Sequence, residues 1–373
     1  MTIKKILATL LALSMTLSLA ACGGNSTQTD TTAPSEQTEE SSSVSDGSAS
    51  DETTAENTET ETPADETEAS EPAEKVDINL AALSGPTALG MLDLLEKNEN
   101  GEAANNYNVT IATAPDEVTG KIISGELDIA AVPTNVASTL YNKTEGQVQI
   151  AALNTMGVLY VLETGDTIQS VADLAGKTIY ATGQGSTPEY ALNLVLEKNG
   201  LTPGEDVEIV FAADNAEIAP LLASGEAQVA LLPQPFVTSV LTQNENVRVA
   251  LDLTEEWDKA VNGESGLTMG CVVVRKEFAE QNKEALDRFL DEYKQSVETV
   301  TSEEGLAHAA ELAEHYNIIK AAVAEKAIPE CNIVFVEGDE MQQIAGGFLQ
   351  VLYDANPQAV GGQLPNDDFY YKR

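Results

Sequence analysis

The chain has 373 residues, with 19 Lys and Arg against 61 Asp and Glu, a formal net charge of −42. A balance this acidic argues against nucleic acid or anionic lipid as a partner surface. With 42% hydrophobic residues, the length still suits two domains or one bilobed unit with sizeable cores.

Residues 1–21 read as a signal peptide. Lys4 and Lys5 precede the apolar run ILATLLALSMTLSLA, and small residues stand before Cys22. The run is shorter than the ~20 residues that a span needs. Leu19-Ala20-Ala21-Cys22 followed by Gly23 resembles the lipobox of bacterial lipoproteins, which implies cleavage before Cys22 and a diacylglycerol on it. Residues 22–75 read as a disordered acidic linker, with fifteen Asp and Glu against Lys75 alone and almost no large apolar side chain. Like charges extend such a segment, which suits a tether and equally a solvated tail with no specific partner.

From Val76 the pattern alternates strand and helix. Val76–Leu83 reads as a buried strand, and Leu89, Leu92 and Leu95 share one face of a following helix. Strands at Tyr107–Thr113, 127–132 and Gln147–Leu153 follow, with a helix at 115–124. A second series comprises Thr178–Ala181, a helix closing on Gly200, Asp206–Phe211, a helix at 214–224, 227–232 and Val247–Leu251. Charged helices at 277–300 and 303–326 and a C-terminal helix near 339–353 finish the chain. No stretch after the signal peptide is apolar enough to span a bilayer.

The two series echo each other. KIISGELDIAAVPTN (121–135) and LLASGEAQVALLPQP (221–235) share Ser, Gly, Glu, Ala and Pro at an offset of one hundred residues. In each, an amphipathic helix (Val118, Ile122, Ile123; Ile218, Leu221, Leu222) stops at a glycine suited to a left-handed cap. A short apolar strand then ends at proline. Upstream lie Ser84-Gly85-Pro86 and Ser186-Thr187-Pro188, where proline suits the first turn of a helix. Thr155-Met156-Gly157 and Thr268-Met269-Gly270 each open an apolar run, as strands crossing between two lobes in opposite directions would. Lobe 1 is then discontinuous, 76–155 with 270–373, and lobe 2 is 156–269. Alternation of this kind predicts an α/β fold with mostly parallel sheets flanked by helices.

GELDIAAVP (125–133), DLAGKTIYATGQGSTPEYALNLVLEKNGL (173–201), SGEAQVALLPQP (224–235) and GCVVVRKEF (270–278) stand in an order that resembles solute-binding proteins of ABC importers. More narrowly they resemble the nitrate/sulfonate/taurine and thiamine-precursor-type family. The resemblance spans essentially all of 76–373 and implies the two-lobed type II periplasmic-binding-protein fold. It also implies a small-molecule ligand, permease and ATPase subunits as partners, no cofactor, and a monomer anchored by lipid on the extracytoplasmic face of the membrane. The sequence departs at Ala227-Gln228, where an acidic residue often follows Gly-Glu, as Asp128 does in the first copy.

Loops at the carboxyl ends of parallel strands form the crevice in such folds, and helix N-termini there hold polar groups through free N–H donors. The candidate residues are Ser84, Gly85, Thr87, Thr134, Asn135, Thr155, Met156, Gly183, Gln184, Ser186, Thr187 and Gln234, in loops that carry no Lys, Arg or His. Ser186 and Thr187 fit plain helix capping as well. Tyr160, Tyr190, Phe236 and Trp257 could stack on a planar ligand or lie in the core. His308 and His315 lack further ligands at metal spacing, and no G-x-S-x-G elbow exists, so catalysis and metal binding have little support. An enzyme on the same fold, of menaquinone- or pyrimidine-biosynthesis type, and a sensing or adhesive lipoprotein are the alternatives. Cys271 and Cys331 are either a disulfide or two buried thiols.

Overall fold

A computed structural model describes residues 74–373 except Ala114 and Glu264. The signal peptide, Cys22 and nearly all of the linker lie outside the described residues. Eleven strands run in chain order: β1 (Asp77–Leu83), β2 (Asn106–Ala112), β3 (Ile129–Pro133), β4 (Val148–Met156), β5 (Leu159–Thr164), β6 (Thr178–Ala181), β7 (Glu208–Phe211), β8 (Val229–Pro233), β9 (Val247–Asp252), β10 (Thr268–Arg275) and β11 (Ile333–Val336). They form a six-stranded sheet, β11-β4-β10-β3-β1-β2, and a five-stranded sheet, β7-β6-β8-β5-β9.

The two sheets are built alike. The order β2-β1-β3-β10-β4 matches β7-β6-β8-β5-β9 strand for strand. In each, three parallel strands are followed by one antiparallel neighbour and then a strand of the original direction. The antiparallel members, β5 and β10, are the first strands after each crossover. The chain leaves one sheet at the carboxyl edge and enters the next at its carboxyl edge, so the arriving strand must run backwards. The paired Thr-Met-Gly segments lie side by side, with Thr268 opposite Met156 and Gly270 opposite Thr155. Both therefore belong to the larger sheet, with β4 running through Met156. The glycine of each is a close-approach site. A Cβ at Gly157 would come 2.1 Å from Thr254 Oγ1, and one at Gly270 would come 2.5 Å from Asn154 Oδ1.

The hundred-residue echo is visible in three dimensions. Helices Pro115–Ser124 and Asn215–Ser224 both stop at serine, and Gly125 (φ 81°) and Gly225 (φ 78°) take the left-handed conformation expected of them. β3 and β8 follow at the same offset and bury their first four residues, as strands covered on both faces do. Asp128, the acidic residue lacking a counterpart in the second copy, lies at the amino edge of the larger sheet. It accepts from Arg275 Nη2 at 2.8 Å and from the Asn79 backbone at 2.9 Å.

Other expectations need correction. Ile123 is 52% exposed rather than on the buried face of its helix, while Val118 and Ile122 are buried. The predicted helix 277–300 is two, Lys276–Gln281 and Lys283–Thr301, interrupted at Asn282. The predicted helix 303–326 is also two, Leu306–His315 and Ala321–Ala327, with Asn317 at φ 57° between them. β11 was not anticipated. It adds antiparallel to the outer side of β4, placing Ile333 against Thr155.

A single apolar cluster runs from one sheet to the other. It contains Leu192, Leu194 and Trp257 from the segment between the crossovers, and Phe348, Leu349 and Leu352 of helix Gly338–Ala355. Trp257 is fully buried with its ring 5.6 Å from Phe348, and its indole N–H donates to Ser265 O at 2.9 Å. Removing a buried ring of this size leaves a cavity that rigid neighbours fill only partly. Phe348→Ala should therefore lower unfolding stability by about 3–5 kcal/mol in urea titrations. A loss under about 1 kcal/mol would show that the seam collapses freely and contributes little.

Candidate ligand site at the facing sheet edges

All twelve candidate residues sit at the carboxyl edges of the two sheets. Ser84, Gly85 and Thr87 follow β1, Thr134 and Asn135 follow β3, and Thr155 and Met156 end β4. Across from them, Gly183, Gln184, Ser186 and Thr187 follow β6, and Gln234 follows β8. The two edges touch directly. Thr187 Oγ1 donates to Asn135 Oδ1 at 3.1 Å, and the Asn135 amide donates to Ala359 O at 3.0 Å. Both side chains are buried, so water does not compete strongly for the bond.

Most of the remaining hydroxyls and amides have protein partners. Thr87 Oγ1 donates to Leu83 O at 2.7 Å, Thr134 and Thr268 share a 3.0 Å hydroxyl contact, and Thr155 Oγ1 donates to Asn154 Oδ1 at 3.1 Å. Gln234 Oε1 accepts from the Thr238 hydroxyl at 2.9 Å. Met156 turns toward the seam: its methyl would lie 3.3 Å from a Cβ at Gly266. Gln184 is exposed.

The start of helix Thr187–Lys198 is unusual. Ser186 stands at the cap position but makes no side-chain cap; its hydroxyl donates backwards to Gly183 O at 2.7 Å. Gly183 (φ 77°) and Gly185 (φ 74°) shape the preceding turn. The Gly185 N–H donates to the carboxylate of Glu189, one turn along the helix. Sequence reading passed over Glu189, although Ser186-Thr187-Pro188-Glu189 has the spacing of a capping box. The observed bond is shifted by one residue, because the Ser186 N–H is engaged with Gly183 O instead.

Three further residues were missed: Thr182, Asn154 and Tyr293. Thr182 Oγ1 donates to Asn215 Oδ1 at 2.7 Å, at the carboxyl end of β6. Asn154 and Tyr293 are fully buried beneath the short helix Pro86–Leu89, with the Asn154 amide nitrogen and the Tyr293 hydroxyl lacking hydrogen-bond partners among the described residues. Tyr160, at the start of β5, has its hydroxyl pushed up to about 12, first by burial and then by the carboxylates of Asp252 and Glu330. Of the candidate stacking rings, Trp257 belongs to the core, whereas Tyr160, Tyr190 and Phe236 are half-buried.

Cationic side chains in and beside the strands gather at the opposite edges. Lys177 precedes β6, Arg248 lies near the start of β9, and Arg275 ends β10. Open grooves there measure about 620 Å³, beside Lys143 and Arg275, and about 510 Å³, beside Lys177 and Glu208. At the seam itself a hollow of about 70 Å³ lies between Tyr190, Asn193, Leu352 and Asn356.

Cys271 and Cys331 are free and buried, and burial raises both thiols well above their ordinary range, which leaves them unreactive. His308 and His315 pair with Glu96 at 2.8 Å and Glu99 at 3.1 Å on an outer face. The Glu96 hydrogen bond raises the pKa of His308. A raised folded-state value makes this pair stabilising below the ordinary imidazole pKa, and the contribution fades as pH rises through the folded value. With both partners partly solvated it is worth well under about 1 kcal/mol. Glu96→Gln should bring the His308 titration midpoint down in an NMR pH series; an unmoved midpoint would assign the shift to another group.

Two α/β halves of matching strand order, facing at their carboxyl edges and joined by two antiparallel crossovers, define a type II periplasmic-binding fold. The family described as ABC transporter, phosphonate, periplasmic substrate-binding protein matches residues 93–325, and the chain belongs to it. It is the substrate-binding component of an ABC importer. Similar solved structures include an ABC transporter protein of Parabacteroides distasonis, 24% identical with a TM-score of 0.66, covering 79% of this chain and 99% of that one. The alkanesulfonate-binding protein of Xanthomonas axonopodis pv. citri bound to MOPS is 17% identical at a TM-score of 0.60, with coverage of 79% and 96%. The periplasmic aliphatic sulphonate-binding protein of Escherichia coli is 14% identical at 0.61, with coverage of 78% and 92%. At these identities the likeness is one of fold. No curated protein matches the chain in sequence.

Proposed function

We propose that the chain captures a small organic solute between the facing carboxyl edges and hands it to the permease and ATPase subunits of its importer. On this reading it works as a monomer without catalysis, held on the extracytoplasmic face of the membrane by lipid on Cys22. The observation that carries the reading is convergence: loops from both sheets, rich in hydroxyl, amide and glycine, meet at one seam where Thr187 bonds to Asn135. Inert thiols and outward-facing histidines favour binding without reaction.

The lobe division at 76–155 with 270–373 and at 156–269 is part of the proposal, and so are the contact residues. Polar groups of the solute are held by backbone N–H donors of the two helix starts, with Ser84, Gly85, Thr87, Thr134, Asn135, Thr155, Met156, Gly183, Gln184, Ser186, Thr187 and Gln234 around them. Ser186 and Thr187 are the informative pair, since neither hydroxyl caps the helix. Native mass spectrometry of the full chain identifies the co-purified solute, and calorimetry with it measures affinity. The Ser186→Ala/Thr187→Ala double variant should lose about 1 kcal/mol per neutral hydrogen bond and up to about 3 for a charged one. Unchanged affinity would remove these side chains from the site, and absence of any solute would count against the capture reading.

Anchoring is tested separately. Cys22→Ser should release the protein into the soluble fraction or leave the precursor uncut. A processed variant that stays with the membrane would refute the lipid anchor.

A further inference from the structure

The first crossover is held by a residue that belongs to neither crossover. Asn332, in the turn that leads into β11, donates its side-chain amide to Gly157 O at 3.1 Å, and its own carbonyl accepts the Met156 N–H at 3.1 Å. Ile333 beside it pairs with Thr155. Gly157 is buried, so its carbonyl oxygen needs a partner, and Asn332 supplies one. Thr254 closes the other side of Gly157, leaving no room for a Cβ.

The hold reaches candidate residues of both sheets within a few positions. Met156 is a candidate contact at the end of β4. Val158, the residue after Gly157, accepts the N–H of Gln234 at 3.0 Å, and Gln234 is the candidate contact that follows β8. A continuous run of bonds therefore links Asn332 to Met156 directly and to Gln234 through Gly157 and Val158. Resting on the solute-capture reading, we propose that Asn332 is a positioning residue of the solute site: its amide fixes the first crossover and so sets Met156 and Gln234 relative to each other.

The backbone at this position is also special. Asn332 has φ 46°, a left-handed conformation that asparagine tolerates better than most side chains and glycine adopts freely. The simpler account is that asparagine stands here only to make the turn. That account predicts no effect of Asn332→Gly, because glycine meets the turn without steric cost. Positioning predicts a loss, because glycine has no amide to offer Gly157. Asn332 is itself exposed, so water competes for the bond and the loss is that of one ordinary hydrogen bond.

The test uses the full chain as wild type, Asn332→Gly and Asn332→Asp. Glycine keeps the turn and removes the side chain, whereas aspartate keeps the shape and puts a carboxylate where the amide donated. Hydrogen exchange is followed amide by amide by NMR without added solute. Native mass spectrometry measures the fraction of each dialysed protein that still carries co-purified solute. Both variants should speed exchange at Gln234 by about 2- to 12-fold, the span of one net hydrogen bond. Ala230, buried and paired on both sides within the smaller sheet, should keep its wild-type rate. The solute-bearing fraction should fall in both variants. Unchanged exchange at Gln234 would overturn the proposal, and so would an equal rise at Gln234 and Ala230, the sign of general loosening. Solute retention equal to that of wild type despite faster exchange would overturn it too, since the crossover would then not position the site. Failure of the capture reading looks different: solute is absent from all three proteins, and the exchange rates still decide whether Asn332 governs Gln234.

Discussion

The architecture depends on one constraint of connectivity: both crossovers join carboxyl edge to carboxyl edge. A strand that begins at that edge can only run antiparallel to those already ending there, and β5 and β10 do so in their respective sheets. The same constraint brings the loops that follow β1, β3, β6 and β8 into one region, because those strands all finish on the edges the crossovers connect. The placement of the candidate site is thus a consequence of topology before any side chain is chosen. Side chains then refine it through Thr187 and Asn135 at the contact and through glycines where Thr254 and Asn154 crowd the crossovers.

What holds the two halves together is mostly apolar. The Thr187–Asn135 bond contributes about 0.5–1.5 kcal/mol net, as a neutral hydrogen bond does. Burying side chains such as Trp257, Phe348 and Leu352 is worth about 1.5–3 kcal/mol each. Any opening of the crevice must expose part of that seam, so the apolar contact sets the scale of the equilibrium and the hydrogen bond sets its register. The Thr-Met-Gly segments are ladder-paired with each other, through Thr268 and Met156 and through Gly270 and Thr155. A solute shifts the balance only by the difference in its affinity for the two states.

Much of this was legible in the sequence. The hundred-residue echo carried the duplicated helix–glycine–strand unit, because a left-handed cap and a strand-ending proline leave few alternatives for residue type. The crossovers were legible for a similar reason: both glycines are dictated by close approach. Features that depend on distant partners were not legible. Ile123 looks like a core residue until the neighbours of its helix are known. β11 is four residues long and is defined by β4, well over a hundred positions away. Asn282 interrupts a helix in a segment whose helical periodicity is otherwise sustained. Glu189 had a visible capping spacing, but its actual acceptor role followed from Ser186 turning back to Gly183, a choice of rotamer that no spacing encodes.

Charge is distributed so that the long-range and local fields act on different scales. The formal charge of −42 includes the fifteen carboxylates of residues 22–75, and exposed charges act through salt over about 8 Å. That field therefore influences approach more than occupancy. Lys177, Arg248 and Arg275, which would counter it, are held at the amino edges by Thr167, Glu163 and Asp128. The candidate loops at the carboxyl edges carry no Lys, Arg or His, and the Gly185 N–H there is taken by Glu189. Partly buried charges are screened less than exposed ones, so a charge beside the candidate loops outweighs a distant one in the linker.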